Sequence, residues 1–401
     1  MQEIQWVLNQ MPAGENPWLS LMAQENMKEV QAFHCSFPQY APTPLRHLRG
    51  MAERLGLGGL YVKDESYRFG LNAFKVLGGS YAIARQIAGQ TGKPMKEMTY
   101  DYLSSPALQE DFAPTTFFTA TDGNHGRGVA WAARQLGQRA VVRMPKGTSQ
   151  SRLENIRREG ATVTIEEMNY DDCVRLAAKE AAETPGSVLM QDTAWPGYEE
   201  IPGWIMQGYG TMAQEADQQV AACGAERLTH VFVQAGVGSL AGAIAGYFAN
   251  RYPENPPKVV VVEASAADCH YRSACSLNGE ITKVEGELAT MMAGLACGEP
   301  NPVSWATLRN HAAAFVSCPD WVSALGMRML AAPCKGDTAV VSGESGAVGM
   351  GLVATMMTDE RYSGLRNALG LDETSHVLLF STEGDTDPDH YRRVVWGGKN
   401  E

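Results

Sequence analysis

Three short segments carry the residue types that do chemistry. In KDESYRFGLNAFKVLGGS (63–80), Lys75 follows Ala73 and Phe74 at the start of a helical pattern. An ammonium beside an apolar ring and at the positive end of a helix dipole is disfavoured, so this amine is readily made neutral. A neutral amine is what condensation with a carbonyl requires. Taken alone, a lysine is more often a solvated surface charge. In AGVGSLAG (235–242), glycines let the backbone approach an anion closely, and the N–H groups opening the next helix hold a phosphate. Gly236, Val237, Gly238, Ser239 and Leu240 are the candidates, and an ordinary tight strand-to-helix turn is the alternative. The segment has no P-loop lysine, and position 241, where a dinucleotide fingerprint needs glycine, is Ala. In TATDGNHGRG (119–128), Asp122, Asn124, His125 and Arg127 crowd one turn, and Asp and Asn also suit turns by themselves.

These segments need a frame that ends strands in loops. Short apolar runs alternate with helical stretches: strands are expected at 58–64, 140–145, 161–167 and 258–265, strands running into loops within 115–126, 229–239 and 375–386, and helices at 73–88, 127–137, 149–160 and 240–251. Continuous apolar strands separated by helices imply parallel sheets covered on both faces. The reading is α/β, with two open doubly wound domains. Ligands in such sheets bind where strands end, which directs attention to 121–127, 235–241 and 381–386.

The 401 residues are too many for one ordinary core. A net charge of −12 argues against nucleic-acid binding. The stretch 231–249 is apolar enough to raise a membrane span, but its VFV start, glycine cluster and Ala-rich continuation read better as strand, loop and helix. The first residues do not read as a secretory signal. None of the eight cysteines forms a CxxC pair, so no metal site is expected, and reduced thiols in the cytoplasm are the default.

AFKVLGGSYA, TDGNHGRG, AGVGSLAG and FSTEGDTD occur in this order. Their order and spacing resemble the fold-type II pyridoxal-phosphate enzymes, the tryptophan synthase β and threonine dehydratase group, from about Lys63 to Asp387. Within that group KDESYRFGLNAFKVLGGSYA, TATDGNHGRGVAW, QDTAWPGYEEIP, IMQGYGTM and MMAGLACGEP are similar to the diaminopropionate ammonia-lyases. The resemblance implies pyridoxal 5'-phosphate as cofactor, a small amino-acid substrate and a homodimer. It implies α,β-elimination of 2,3-diaminopropionate, D or L, to pyruvate and two ammonia; the alternative is a serine or threonine dehydratase-type or β-replacement enzyme. It places 1–88 and 216–401 in a large cofactor-binding domain and 89–215 in a small mobile one. By position, Lys75 matches the Schiff-base lysine with Phe74 beside it, Asn124 the residue on the cofactor's 3′-oxygen, and Gly236 to Leu240 the phosphate loop. Ser381, with Thr382 next to it, matches the hydroxyl facing the pyridine nitrogen.

The chain departs from the wider group at three positions: Asp122 stands for the loop's Ser, Arg127 for its Gln, and Ala73 for the Ser before Phe–Lys. An anionic site favours a substrate with a second ammonium, which diaminopropionate has and serine lacks. Asp122 and Asp192 are therefore the expected catalytic carboxylates. Lys75 serves the α-proton of one isomer, Asp122 that of the other, and Asp192 holds the β-ammonium; a solvated Asp in a Pro-Gly loop is the bland alternative for Asp192. His125 is expected to be structural or cofactor-adjacent. Trp195, Tyr198 and Trp204 wall the pocket or fill core, and Glu344 and Ser345 line the ring or cap a helix. Cys269 and Cys297 are near neighbours that form a disulfide or remain thiols.

Overall fold

The structure is a computed structural model and describes residues 2–225 and 227–400. Its strands are β1 Gln5–Leu8, β2 Leu45–His47, β3 Gly59–Asp64, β4 Thr116–Ala120, β5 Arg139–Met144, β6 Thr162–Ile165, β7 Ser187–Leu189, β8 His230–Gln234, β9 Lys258–Ala264, β10 Ala312–Cys318 and β11 His376–Ser381. They form two sheets, one in each of two compact units.

The first unit comprises 1–24, 42–67 and 212–401. Its sheet runs β1-β10-β9-β8-β11-β3-β2. The five inner strands are parallel and only the edge strands β1 and β2 are antiparallel. Val231–Val233, Val259–Val262 and Val377–Leu379 are all buried, which accounts for their unbroken apolar runs. The sequence reading passed over β10, whose AAAFVSC start suits a helix as well as a strand. Neighbouring strands β8 and β11 are in register His230↔Val377, so both finish at one end of the sheet, at Gln234 and Ser381. The glycine loop follows the first and Thr382 the second.

The second unit comprises 25–41 and 68–211 and carries a fully parallel sheet, β6-β5-β4-β7. β4 runs into the 121–123 turn, and β7, in register Phe118↔Leu189, runs into Gln191 and Asp192. The expected borders at 88/89 and 215/216 fall inside the helices Val76–Thr91 and Gly210–Ala222. By contacts, the helix Val76–Thr91 belongs wholly to the second unit, and glycines explain why. A Cβ on Gly128 would lie 2.8 Å from Val76 N, and one on Gly208 would lie 2.5 Å from Leu77 O. The helices Asn124–Gln135 and Glu200–Gly208 thus approach the Val76–Thr91 backbone at distances only glycine permits. No helix among the described residues is long and apolar enough to cross a membrane; 231–249 is strand β8, a turn and the helix Ser239–Arg251.

Candidate active site

Within the second unit, Lys75 is the N-cap residue of the helix Val76–Thr91, with its side chain 22% exposed. The turn before it places Phe69 at φ +50° and Asn72 at φ +60°, left-handed conformations that nothing in the sequence signalled. Phe74 is buried, its ring 4.8 Å from that of Tyr209. Lys75 Nζ donates to Asp192 Oδ2 at 2.6 Å. Asp192 is not the solvated loop residue of the bland alternative but is 4% exposed. Burial alone would push its carboxyl up; the Lys75 ammonium and His125 outweigh that and hold it down at about 2.

Gln191 fixes this carboxylate's backbone. Its Oε1 accepts from Ala120 N at 3.0 Å and from Thr119 Oγ1 at 3.1 Å, clamping the end of β7 to the end of β4. Tyr198 braces the same segment: its hydroxyl accepts from Gln191 N at 2.8 Å and donates to Leu189 O at 3.0 Å, and its ring stacks on Trp195. Trp204 lies under the Arg85 guanidinium. These aromatics brace the unit, the structural alternative left open by the sequence.

The helix expected at 127 begins at Asn124, because short polar residues in a first turn imitate a loop. Asn124 and His125 therefore sit in its first turn, and Gly123 is the N-cap residue. His125 is buried, and Nε2–H donates to Met190 O at 2.8 Å. Nδ1 lies 3.8 Å from Asp192 Oδ2. Burial pushes the imidazole pKa down against the pull of Asp192. Asp122 is 41% exposed and receives Arg152 Nη1 at 3.4 Å, both on Oδ2 and on its backbone carbonyl. Arg127 ties Leu71 O, at 3.0 Å, to Glu159, holding the Lys75 approach against the helix Asn124–Gln135. Lys75, Asp192 and His125 thus form one cluster. Sequence reasoning missed Arg152 and Tyr209: the first lies in an ordinary charged helix, and the second in a segment, IMQGYGTM, that carried only a resemblance.

In the first unit, Gly238 is the N-cap residue of the helix Ser239–Arg251 with φ +96°. Gly236 faces Gly294, whose carbonyl would lie 3.0 Å from a Cβ there. The turn Gly236–Leu240 is held from behind by Asn301, which donates its N–H to Val237 O at 2.7 Å and its Nδ2–H to Ser239 Oγ at 2.9 Å. Gln234 donates to Thr382 Oγ1 at 2.7 Å and to Phe380 O at 3.0 Å, so the glycine loop and the Ser381–Thr382 end are pinned together. Ser381 is fully buried. Gly343 is the N-cap residue of the helix Glu344–Thr358, and no side chain caps it, so Glu344 and Ser345 are not caps. Cys269 and Cys297 do come together, Sγ of Cys269 lying 3.6 Å from Cys297 O, and both are thiols.

A model of pyridoxal-phosphate-dependent enzymes matches residues 37–366. The chain is 52% identical over 388 residues to the diaminopropionate ammonia-lyase of Salmonella typhimurium, covering 96% of each. The chain belongs to the diaminopropionate ammonia-lyase family. A crystal structure of the Escherichia coli diaminopropionate ammonia-lyase, in complex with an aminoacrylate-PLP azomethine reaction intermediate, superposes with a TM-score of 0.90 at 46% identity, covering 99% of this chain and 98% of that one. A threonine deaminase from Solanum lycopersicum shares the fold alone, with a TM-score of 0.69 at 19% identity. The fold is therefore fold type II, and pyridoxal phosphate is the cofactor. The residues present suit it: a lysine amine at a helix start, a left-handed glycine turn opening a helix, and a hydroxyl pair at the next strand end.

Proposed function

We propose that the chain eliminates the β-amino group of 2,3-diaminopropionate, from either isomer, giving pyruvate and two ammonia. The carrying observation is the 2.6 Å contact between Lys75 Nζ and the buried Asp192 carboxylate. A fixed anion that already pairs with the Lys75 ammonium suits a substrate with an extra ammonium, and serine offers no such charge. Lys75 with Phe74 and Asn124, and Gly236, Val237, Gly238, Ser239 and Leu240 with Ser381 and Thr382, are the proposed cofactor contacts.

Pyridoxal phosphate supplies an electron sink that acidifies the substrate α-carbon. The chain's residues do the rest. Lys75 Nζ takes the α-proton of the L-isomer once it is released from Asp192, and the Asp122 carboxylate takes that of the D-isomer. Asp192 keeps the β-nitrogen as an ammonium, so it departs as neutral ammonia when the C–N pair goes with it; an amide ion would be far too basic. Addition of one water to the three-carbon product releases the second ammonia and leaves pyruvate. Thr382 is the hydroxyl favoured for the pyridine nitrogen: its oxygen accepts from Gln234, which turns its own proton outward.

The family resemblance supports a homodimer, and cysteines held as thiols support the cytoplasm; sedimentation and cell fractionation test the two. For the reaction, D- and L-2,3-diaminopropionate, serine and threonine are offered separately, with pyruvate or 2-oxobutyrate assayed. Faster pyruvate from both diaminopropionates is the expected result. A preference for serine or threonine contradicts the proposal.

A further inference from the structure

Behind the glycine turn lies a buried group that the reaction does not use. Glu263, in β9, is fully buried, and its carboxylate receives three N–H donors: His270 N at 2.9 Å and His270 Nδ1 at 2.7 Å on Oε1, and Tyr271 N at 2.7 Å on Oε2. The carboxylate therefore fixes both the backbone and the ring of His270. With a hydrogen on Nδ1 given to Glu263, the opposite nitrogen is what the ring offers to its surroundings. That nitrogen, Nε2, is buried and has no hydrogen-bond partner among the described residues. A buried ring nitrogen left without a partner calls for an explanation.

Its position supplies one. A Cβ on Gly238 would lie 2.4 Å from His270 Nε2 and 2.9 Å from Ser304 Oγ. The imidazole thus points at the left-handed residue on which the turn pivots. The other polar groups at the turn are already engaged: Val237 O takes Asn301 N–H and the Ser304 hydroxyl, and Ser239 Oγ takes Asn301 Nδ2–H. A metal ion shared by Glu263, Cys269 and His270 is the competing idea, because the three ligand atoms lie within 4.8 Å of one another. It would have to strip the carboxylate of three N–H donors and deprotonate Cys269, whose thiol burial pushes far above its ordinary pKa.

We propose that His270 is a cofactor-phosphate residue: its Nε2–H donates to the phosphate held at Gly236–Leu240, and Glu263 balances the charge of the ring as an imidazolium. The proposal rests on reading Gly236–Leu240 as the phosphate loop. A charge-assisted hydrogen bond of this kind is among the stronger ones. It also makes the phosphate site selective for a dianion, which backbone N–H groups alone would not do.

The test uses the full-length protein, freed of cofactor with hydroxylamine and titrated with pyridoxal phosphate and with pyridoxal. In His270→Leu, the Kd for pyridoxal phosphate rises about ten- to a hundredfold, as loss of one such bond implies, while the Kd for pyridoxal stays put. His270→Gln, which restores an N–H near the Nε2 position, recovers most of the loss. Wild-type affinity in His270→Leu, or an equal loss for both compounds, overturns the proposal. Should His270→Leu not fold, a crystal structure of the wild-type holoenzyme decides: a phosphate oxygen within about 3.2 Å of Nε2 supports it, and a water or nothing there overturns it. If the wild-type protein binds pyridoxal as tightly as pyridoxal phosphate, the phosphate-loop reading itself fails, whatever the His270 variants do.

Discussion

Lys75 Nζ and Asp192 Oδ2 are 2.6 Å apart, although one opens a helix and the other follows a strand more than a hundred residues later. The contact joins the amine proposed to attach the cofactor to the carboxylate proposed to select the substrate. It also means that the amine is stored as a paired ammonium and must leave Asp192 before it can act as a nucleophile or base.

The pairing sets a pH dependence. Asp192 is held at about 2 in the folded chain against an ordinary value of 3.8. The depressed value means that its stabilisation is present above pH 4 and is lost as pH falls toward 2. For a buried group the shift amounts to on the order of 2 kcal/mol. In urea denaturation of cofactor-free protein, Asp192→Asn should show a shallower loss of stability between pH 5 and pH 3 than the wild type. Parallel curves would mean that the pair contributes nothing to the acid limb.

The proposed roles separate the two carboxylates by isomer. Asp122 is partly exposed and faces Arg152, as a proton-transferring group with an exit to solvent should be, while Asp192 is buried against Lys75. Asp122→Asn should lower kcat for the D-isomer by on the order of 10²-fold or more and harm the L-isomer less. Asp192→Asn should lower both, because both present the same leaving group. Equal losses in Asp122→Asn would reduce that residue to positioning.

Gly128 holds the Lys75 helix start in place. A Cβ there would meet Val76 N at 2.8 Å and Lys75 C at 3.0 Å, both of them backbone. Gly128→Ala should destabilise by about 1–3 kcal/mol and shift the Lys75 amine enough to slow turnover, even though it touches no substrate. Thermal melting with steady-state kinetics checks this; a variant that is stable and fully active would show that the two helices can separate without consequence.

The strand-end hydroxyls differ in what holds them. Thr382 Oγ1 is fixed by Gln234, whereas among the described residues Ser381 Oγ is held by a 3.5 Å contact to Glu383 O. Thr382→Val should change the visible spectrum of the holoenzyme and slow elimination more than Ser381→Ala does. The reverse ranking assigns the pyridine contact to Ser381.

Much of this was legible in the sequence because parallel strands announce themselves as apolar runs and end in the loops that bind. The turn at 236–240 and the 381–382 pair stand at such ends, whereas Lys75 opens the helix Val76–Thr91 well past the end of β3. Asn124 and His125 were legible as chemistry but not as a helix start, since Asp, Gly and Asn favour turns and first helical turns alike. The domain borders were not legible: Gly128 and Gly208 bind the Lys75 helix to its unit, and a glycine in a sequence does not say what approaches it. Arg152, Tyr209 and the Glu263–His270 pair were invisible because their meaning lies in a partner distant along the chain. Asp192 emerged from resemblance alone, and its burial became plain only with Gln191 and Tyr198 in place.

Lys75 is the proposed attachment point of the cofactor, and one measurement reaches it directly. Holoenzyme reduced with borohydride and digested should yield the cofactor's added mass on the peptide containing Lys75, and Lys75→Ala should lose both that label and the visible absorption band. A label on any other lysine, or a Lys75→Ala protein that keeps its band and its activity, would contradict the assignment.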